Sequence, residues 1–463
     1  MSVQEAHFLK NSAQKAQDIR HREIIQFNMG KYDAAVTQGL QHFDGLETAK
    51  KKAHVIKWRV MENLDKYLHE FETNCLAKGG KVIWANDAEE ALEEIGSILD
   101  QVKAKKVVKS KSMTTEEIEL NAFLSKRKIE TIETDLGEFI VQQLGQKPYH
   151  IVTPAMHLSR KEIAQLFHEK FGTPEDAPAE ALTAKARELM RQHFTEAEVG
   201  ITGGNFLLAD SGSIALTENE GNARLSTCFP KIHIAIVGIE KIIPSLKDLP
   251  LFWPLLSSHG TGQQLTVYNS IIGPKQPHEG DGPEEFYVVL LDNGRSQLLA
   301  QKEQRQGLYC IRCGACLNAC PVYRNIGGHA YETTYSGPIG SVITPHMKGM
   351  DQFKHLSQAS SLCGKCTEVC PVKIDIHQML LLNRKEAVDQ GKVSYVEKTS
   401  WKLATRLLLK RSRLDQFGGK IKNLILRLFF RKLWNKARAL PKVAPTSFSA
   451  QWLQRQKQSD KEL

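Results

Sequence analysis

Cys310-Ile-Arg-Cys313-Gly-Ala-Cys316-Leu-Asn-Ala-Cys320-Pro321 and Ser360-Ser-Leu-Cys363-Gly-Lys-Cys366-Thr-Glu-Val-Cys370-Pro371 share one register. The first run is C-x2-C-x2-C-x3-C-P, the bacterial ferredoxin spacing. In that spacing three cysteines hold one [4Fe–4S] cluster and the fourth crosses to a second. The second run keeps the spacing but has serine at the first cysteine position. Thiolates are soft ligands that suit iron–sulfur clusters. Gly314 and Gly364 let the backbone come close to inorganic sulfide, where amide N–H groups stabilise the cluster charge. Pro321 and Pro371 fix φ as the chain leaves each site.

Crossing the fourth ligands predicts two sets. The first is Cys310, Cys313, Cys316 and Cys370. The second is Cys320, Cys363 and Cys366, one thiolate short. The second centre then reads as [3Fe–4S], as [4Fe–4S] with Ser360 oxygen or solvent on the fourth iron, or as a cluster completed by another side chain. His355 and His377 are near in sequence, although a lone histidine is more often an ordinary surface or core residue. Structural zinc also uses C-x2-C pairs, but it does not explain the full register.

A chain of 463 residues is too long for one ordinary core and predicts two or three domains. The charged and apolar fractions are those of a soluble globular protein. Seven of the nine cysteines lie in the two runs, and Cys75 and Cys228 stand far apart. Cysteines spent on metal rather than on disulfides imply a reducing compartment. The start of the chain has early charges and no apolar core of a secretion signal. No run of about eighteen apolar residues suggests a membrane span. These features predict a cytosolic protein, or one held at the inner face of the membrane by its surface. The net charge of +10 is uneven. Residues 401–463 hold sixteen Lys or Arg against three Asp or Glu, while residues 1–400 hold 46 against 49. The basic character belongs to the tail.

Residues 1–75 read as helical, with Ile24, Ile25, Met29, Tyr32, Ala35 and Val36 at helical spacing, and predict a pair of helices packing on the next domain. From residue 76 to 292 the pattern changes. Short apolar runs at Lys81-Val-Ile-Trp84-Ala, Lys106-Val-Val108, Ile129-Glu-Thr-Ile132 and His150-Ile-Val152 alternate with helical stretches. They predict an α/β domain with a mostly parallel sheet. Further strands are predicted at 206–209, 214–217, 233–238 and 286–291.

The stretch Glu198-Val-Gly-Ile-Thr-Gly203-Gly204-Asn205, followed by Asp210-Ser-Gly212-Ser and then Glu218-Asn219-Glu220-Gly221-Asn222-Ala-Arg224, has a polar cluster at a strand end. Sheets of this class commonly place ligands there. Its amides and Arg224 could take a carboxylate or phosphate, or its glycines only permit turns. Neither a Walker A sequence nor a G-x-G-x-x-G strand–helix signature is present, so no P-loop or Rossmann nucleotide site is predicted.

Residues 249–283 are rich in Gly, Pro and Ser. Between the cysteine runs, residues 322–359 are longer than a small ferredoxin needs and predict an ordered loop covering a cluster or a partner site. Residues 300–395 take in both runs, an amphipathic helix from Ile376, and a second helix through Val396. In the 400–463 tail, Ile421, Leu424, Ile425, Leu428 and Leu433 alternate with Lys and Arg up to Trp434. This reads as a basic amphipathic helix that lies on an anionic membrane, docks on an acidic partner, or packs on the protein itself. No recognition fold for nucleic acid accompanies the charge, so no specific nucleic acid is expected.

Taken together, Gly-Ile-Thr-Gly-Gly-Asn-Phe, Asn-Glu-Gly-Asn-Ala-Arg-Leu-Ser-Thr and the two cysteine runs resemble the lactate utilization protein B family. The resemblance covers nearly the whole chain. It implies an α/β lactate-utilisation domain of the NagB/RpiA/CoA-transferase-like class, then an α-helical ferredoxin-like dicluster domain and a basic helical tail. It implies two [4Fe–4S] clusters, the second open to a [3Fe–4S] form. The implied role is that of a non-catalytic electron-transfer subunit in oxidation of L-lactate to pyruvate. The implied companions are a cysteine-rich subunit and a second lactate-utilisation-domain protein. Serine at position 360 agrees with that family. Two rival readings remain open here: a subunit that binds and oxidises a 2-hydroxy acid through the 198–224 loops and Arg224, and a redox-sensing regulator.

Overall fold

The apolar runs between residues 81 and 291 become a six-stranded sheet in the computed structural model, which describes residues 2–431 and 439–462. Its strands are β1 (Lys81–Ala85), β2 (Lys106–Lys109), β3 (Glu130–Glu133), β4 (Val199–Thr202), β7 (Ile232–Gly238) and β10 (Glu285–Leu291). The order is β1-β10-β7-β4-β2-β3, and every pairing is parallel. Helices cover the faces, so the central strands lose their polar alternation. All seven residues of β7 are buried. The crossover helices start at side-chain caps: Asp87 accepts from the Glu90 amide and Asp135 from the Glu138 amide.

A smaller sheet is set beside the first. It orders β8 (Ile242–Ile243), β5 (Phe206–Leu208), β6 (Ser213–Glu218) and β9 (Tyr268–Ile272). The predicted Asp-Ser-Gly-Ser turn joins β5 to β6. Gly212 stands there at φ +61°, and a Cβ on it would lie 2.2 Å from the Cys75 amide nitrogen. Only glycine fits that close approach.

Several expectations are corrected. His150-Ile-Val152 is not a strand. His150 Nδ1 accepts from the amides of Val152 (3.1 Å) and Thr153 (3.3 Å), which folds the segment into a turn and removes those donors from any ladder. The Gly/Pro/Ser-rich stretch holds helix Leu249–Gly260 and strand β9. The segment between the cysteine runs is helical rather than a loop, and it does cover the first cysteine set, where Ile339 packs. It contributes helix Gly337–Met347, of which 337–345 are all buried, with a proline in its first turn where the missing N–H costs nothing. Residues 1–75 supply four helices rather than two: Val3–Gln17, Ile19–Gly39, Leu46–Glu62 and Leu64–Ala77. They pack on both sides of the junction. Phe8 meets Tyr331 and His355, His21 bonds the Tyr149 hydroxyl (2.8 Å), and Asn74 Nδ2 donates to Ala209 carbonyl.

Residues up to 387 form one unit, in which the sheet and the cysteine runs are joined by a buried ionic network. Arg295, 1% exposed, donates to both carboxylate oxygens of Glu117 (2.9 and 2.8 Å) and through Nε to Glu240 (2.5 Å). Tyr335 Oη donates to Glu117 (2.5 Å), and Arg312 Nη2 donates to Glu240 (3.2 Å). Glu117 follows β2, Glu240 follows β7, and Arg312 and Tyr335 belong to the cysteine region. Burial alone would raise both carboxyls, but Arg295 outweighs it and holds Glu117 low. With Arg312, it brings Glu240 to about 2.

From residue 388 a second unit begins. Gly391 at φ +69° separates helix Ile376–Asp389 from a new helix, Tyr395–Leu408, which Ser394 caps. The second helix, predicted to run through Val396, instead starts at Tyr395, beyond Gly391. Helix Gly419–Ile425 continues to Phe430, and Phe448–Glu462 ends the chain's described helices. Leu433 and Trp434 lie outside the described residues. Among the described residues, no helix is long and apolar enough to cross a membrane.

Replacing Arg295 with methionine strands two buried carboxylates, so unfolding free energy should drop by about 3–5 kcal/mol in urea titrations at neutral pH. Because Glu240 ionises lower in the folded chain than in the unfolded one, its contribution is complete above pH ~4.5 and is lost as pH falls toward about 2. Arg295→Met should therefore flatten the acid limb of the stability profile; an unchanged limb refutes the assignment.

Candidate functional site

The two cysteine runs fold into one repeated turn. Arg312 and Leu362 both take left-handed φ, +61° and +55°, and Gly314 and Gly364 follow at +81° and +78°. A one-turn helix opens after each glycine, Ala315–Asn318 and Lys365–Glu368. The amides of Leu317 and Asn318 return to the Gly314 carbonyl, as those of Thr367 and Glu368 return to Gly364. The match extends to position 360. The Arg312 amide donates to Cys310 Sγ (3.4 Å), and the Leu362 amide donates to Ser360 Oγ (3.0 Å). Serine therefore occupies the place in its loop that the first cysteine occupies in the other.

The tertiary fold sorts the sulfurs across the runs. Cys310, Cys313, Cys316 and Cys370 line one small enclosed cavity walled by Ile151, Ile339, Val372, Ile374 and Ile376. Burial pushes the thiols of Cys313 and Cys316 up, and neighbouring Cys310 adds to the effect. Burial likewise takes Cys370 to about 12. Cys320, Cys363 and Cys366 form the other set. Burial raises Cys320, with Cys363 nearby adding to it, and takes Cys366 to about 11, with Cys320 adding to it. The two sets differ in depth: every member of the first is buried or half-buried, whereas Cys363 of the second is exposed. The Lys365 amide lowers the Cys363 thiol. Buried thiolates without a counterion are costly, and metal ligation requires the deprotonated form. A cavity ringed by four such sulfurs, with an amide aimed at Cys310 and another at Cys370 (Ile374 amide, 3.4 Å), fits a thiolate-held cluster.

Neither candidate histidine joins the second set. His355 packs against Phe8 and Phe353, and His377 Nδ1 is engaged by Thr367 Oγ1 (2.7 Å). The two cysteines outside the runs are remote from both sets in role: Cys75 is buried and raised to about 11 by that burial, and Cys228 is exposed.

A larger cavity, about 360 Å³, opens at the carboxyl ends of the parallel strands, where ligands sit in sheets of this class. Ser110, Asp135, Asn205 and Glu220 line it, and Arg312 and Cys313 form part of its wall. Burial and nearby Asp135 raise Glu220 to about 7. Arg224 is not among the lining residues. It is exposed and lies over the Tyr268 ring at 5.8 Å, so the expected carboxylate clamp is absent. The cations that line the cavity are Lys111, 3.4 Å from Asp135, and Arg312. Gly203 and Gly204 serve packing, since a Cβ on them would meet Ser112 Oγ at 2.6 Å and Val237 Cγ2 at 3.0 Å.

Three residues of the cluster surroundings were not singled out in the sequence. Helix Leu46–Glu62 brings Lys50 to the Glu368 carbonyl, His54 to the Val372 carbonyl (2.9 Å) and Lys57 to the Glu240 carbonyl (2.5 Å). A signal was present. Lys50 and Lys57 are spaced with Ala53, Val60 and Leu64 along the buried stripe, where a charge needs a reason.

Comparison with known proteins agrees with this geometry. Residues 68–291 match the LUD domain family, and residues 306–374 match the 4Fe-4S dicluster domain. The cysteine region is thus an iron–sulfur domain. The chain is 47% identical over 349 residues to Lactate utilization protein B of Bacillus thuringiensis (strain Al Hakam), covering 75% of this chain and 74% of that one. The same figures hold for the proteins of that name in Bacillus cereus (strain AH187) and Bacillus anthracis (strain A0248). A crystal structure of a DUF162 family protein from Deinococcus radiodurans covers 49% of this chain and 98% of its own, at 14% identity and TM-score 0.29.

Crossed sorting makes a test that spacing within one run does not. Cys370→Ala should remove the iron centre of the first run, and Cys320→Ala that of the second, each lowering bound iron by about half. If each substitution instead removes the centre of its own run, as read by EPR alongside Cys313→Ala and Cys363→Ala, the crossing is wrong.

Proposed function

The chain belongs to the lactate utilization protein B family, and from that we propose that it is the electron-transfer subunit of a system oxidising L-lactate to pyruvate. The observation that carries this is the change in depth between the two cysteine sets. Cys313 forms part of the wall of the strand-end cavity, and Cys363 is exposed. One set borders an interior cavity and the other reaches the surface, which gives a relay two separate sides for entry and exit. When bound, the clusters supply single-electron carriage. The residues hold the two centres side by side, because Cys320 and Cys370 each leave their own run for the other set. We assign hydride removal from lactate to a companion; Arg224, offered in the rival reading as a clamp for a 2-hydroxy acid, is exposed and not among the residues that line the cavity. The companions are a cysteine-rich subunit and a second lactate-utilisation-domain protein.

We assign Cys310, Cys313, Cys316 and Cys370 to one [4Fe–4S] cluster, and Cys320, Cys363 and Cys366 to a second. Ser360 Oγ is placed as the oxygen ligand on the fourth iron. Supporting it is the shared turn in which Ser360 Oγ and Cys310 Sγ accept equivalent amides. The basic second unit is read as the part that lies on an anionic membrane surface at the cytoplasmic face. Trp401, Phe417, Leu424, Leu428, Phe429 and Trp452 are each more than half exposed there, among an excess of lysine and arginine.

Anaerobic purification should yield about eight irons per chain and signals of two interacting reduced centres by EPR. Ser360→Cys should keep that content, while Ser360→Ala should convert the second centre to a three-iron form with a signal in the oxidised state. Wild-type protein with zinc in place of iron ends the relay reading, and wild-type spectra unchanged by Ser360→Ala end the serine assignment. Sedimentation with vesicles should show binding to phosphatidylglycerol-containing bilayers that weakens as salt rises. Equal binding to phosphatidylcholine vesicles, or none to either, contradicts the membrane assignment.

A further inference from the structure

The ionic network between sheet and cysteine region holds more basic side chains than acidic ones. Lys57, Lys241, Arg295 and Arg312 are buried there, against only two buried carboxylates, Glu117 and Glu240. Lys57 is 1% exposed. Its Nζ donates to the carbonyls of Glu240 (2.5 Å) and Ile242 (3.3 Å), which are neutral acceptors. Arg312 is held at one end by Glu240 and lies over the Tyr335 ring at 4.1 Å. Its Nε and Nη1 are buried with no hydrogen-bond partner. Burying charge without compensation is expensive, and breaking a pair in such a place is strongly destabilising. A purely structural role explains the tether made by Lys57. It does not explain why Lys57, Lys241 and Arg312 are all buried around one carboxylate, Glu240.

The Arg312 amide donates to Cys310 Sγ (3.4 Å), Arg312 grips the Glu240 carboxylate (3.2 Å), and Glu240 in turn takes Lys57 on its carbonyl (2.5 Å) and is followed by Lys241. Burial outweighs the nearby negative groups and lowers Lys57 to about 7 and Lys241 to about 8, so both lysines gain from a further negative charge beside them. A [4Fe–4S] core with four thiolates carries a net charge of about −2 when oxidised and gains one more negative charge on reduction. Cations fixed in a low-dielectric surround favour the more negative state.

We propose that Lys57, Lys241 and Arg312 form a buried cationic cradle for the Cys310-ligated cluster, stabilising its reduced state and so raising its reduction potential. The three come from different parts of the chain: an N-terminal helix, the segment after β7, and the first cysteine loop. The cradle exists only when the sheet, the N-terminal helices and the cysteine region are assembled. Each added electron then enters a site already biased toward it. This inference rests on the crossed assignment of Cys370 to the first centre. At the second set, by contrast, Cys363 is exposed and its charged neighbour Lys365 is exposed too.

The test is an EPR-monitored potentiometric titration of the anaerobically prepared full chain, with iron and sulfide analysis of every sample. In Lys57→Met and in Lys241→Met, one of the two midpoints should fall by at least 59 mV, a tenfold loss in the one-electron reduction equilibrium. The other midpoint should stay in place. Lys241→Arg, which keeps the charge, should retain the wild-type midpoint. Full iron content with neither midpoint moved, or with both moved equally, overturns the cradle. So does a Lys241→Arg midpoint that falls with Lys241→Met. If the methionine variants take up only half the iron while Lys241→Arg takes up all of it, the charge is needed to hold the cluster, in support of the proposal. Loss in the arginine variant as well assigns the residue to packing and refutes it. A wild-type chain lacking two iron–sulfur centres instead sinks the relay reading, a result separate from any shift among variants.

Discussion

A guanidinium with almost no contact with water is the joint on which the larger unit depends. Arg295 satisfies Glu117 with both of its terminal nitrogens and Glu240 with its Nε. Those carboxylates come from two separate segments, Glu117 in the short helix after β2 and Glu240 in the turn after β7, and Arg312 and Tyr335 reach the same pair from the cysteine region. Ion pairs at this depth add little net stability compared with an apolar core, but they are intolerant of misplacement. A shifted cysteine loop would leave a charge buried and alone. The network therefore acts as a register device between the sheet and the cluster loops.

That register matters because the site is assembled from distant pieces. Ile151 of a turn between sheet elements walls the first cluster cavity, and Gly314 approaches Val152 so closely that a Cβ would lie 3.0 Å away. The N-terminal helices close the remaining sides through Lys50, His54 and Lys57. The α/β region is thus more than a neighbour of an autonomous ferredoxin. It supplies part of the wall, part of the charge and the cavity against which Cys313 lies. The second unit follows a different physical logic. Its apolar side chains are largely left outside, interleaved with lysine and arginine, which suits a surface contact rather than a core.

How much of this was legible in the sequence follows from the range of the interactions involved. Local rules were enough for the cysteine register, for the strands of continuous apolar residues such as β7 and β10, and for the helix from Ile376. In each, the deciding contacts lie within a few residues or repeat at a fixed period. The same reasoning failed at His150-Ile-Val152, where one imidazole nitrogen captures two amides that the apolar pattern assigned to a ladder. It failed between the cysteine runs, where glycine and proline suggested a loop but burial of Tyr323, Tyr331 and Tyr335 drives compact helices. It also misplaced Arg224, whose side chain turns outward over Tyr268.

The sequence by itself determined the chemistry: which sulfurs are present, their spacing, the serine in the eighth position and the family to which they belong. Tertiary structure alone decided the company those sulfurs keep. It brought Cys370 to the first set and Cys320 to the second, left Cys363 of the second exposed, and gathered four basic side chains around two carboxylates. Ligand spacing is a property of a short peptide and can be read along the chain. Burial and electrostatic balance are properties of a volume, and no window of sequence contains residues 57, 117, 241, 295 and 312 at once.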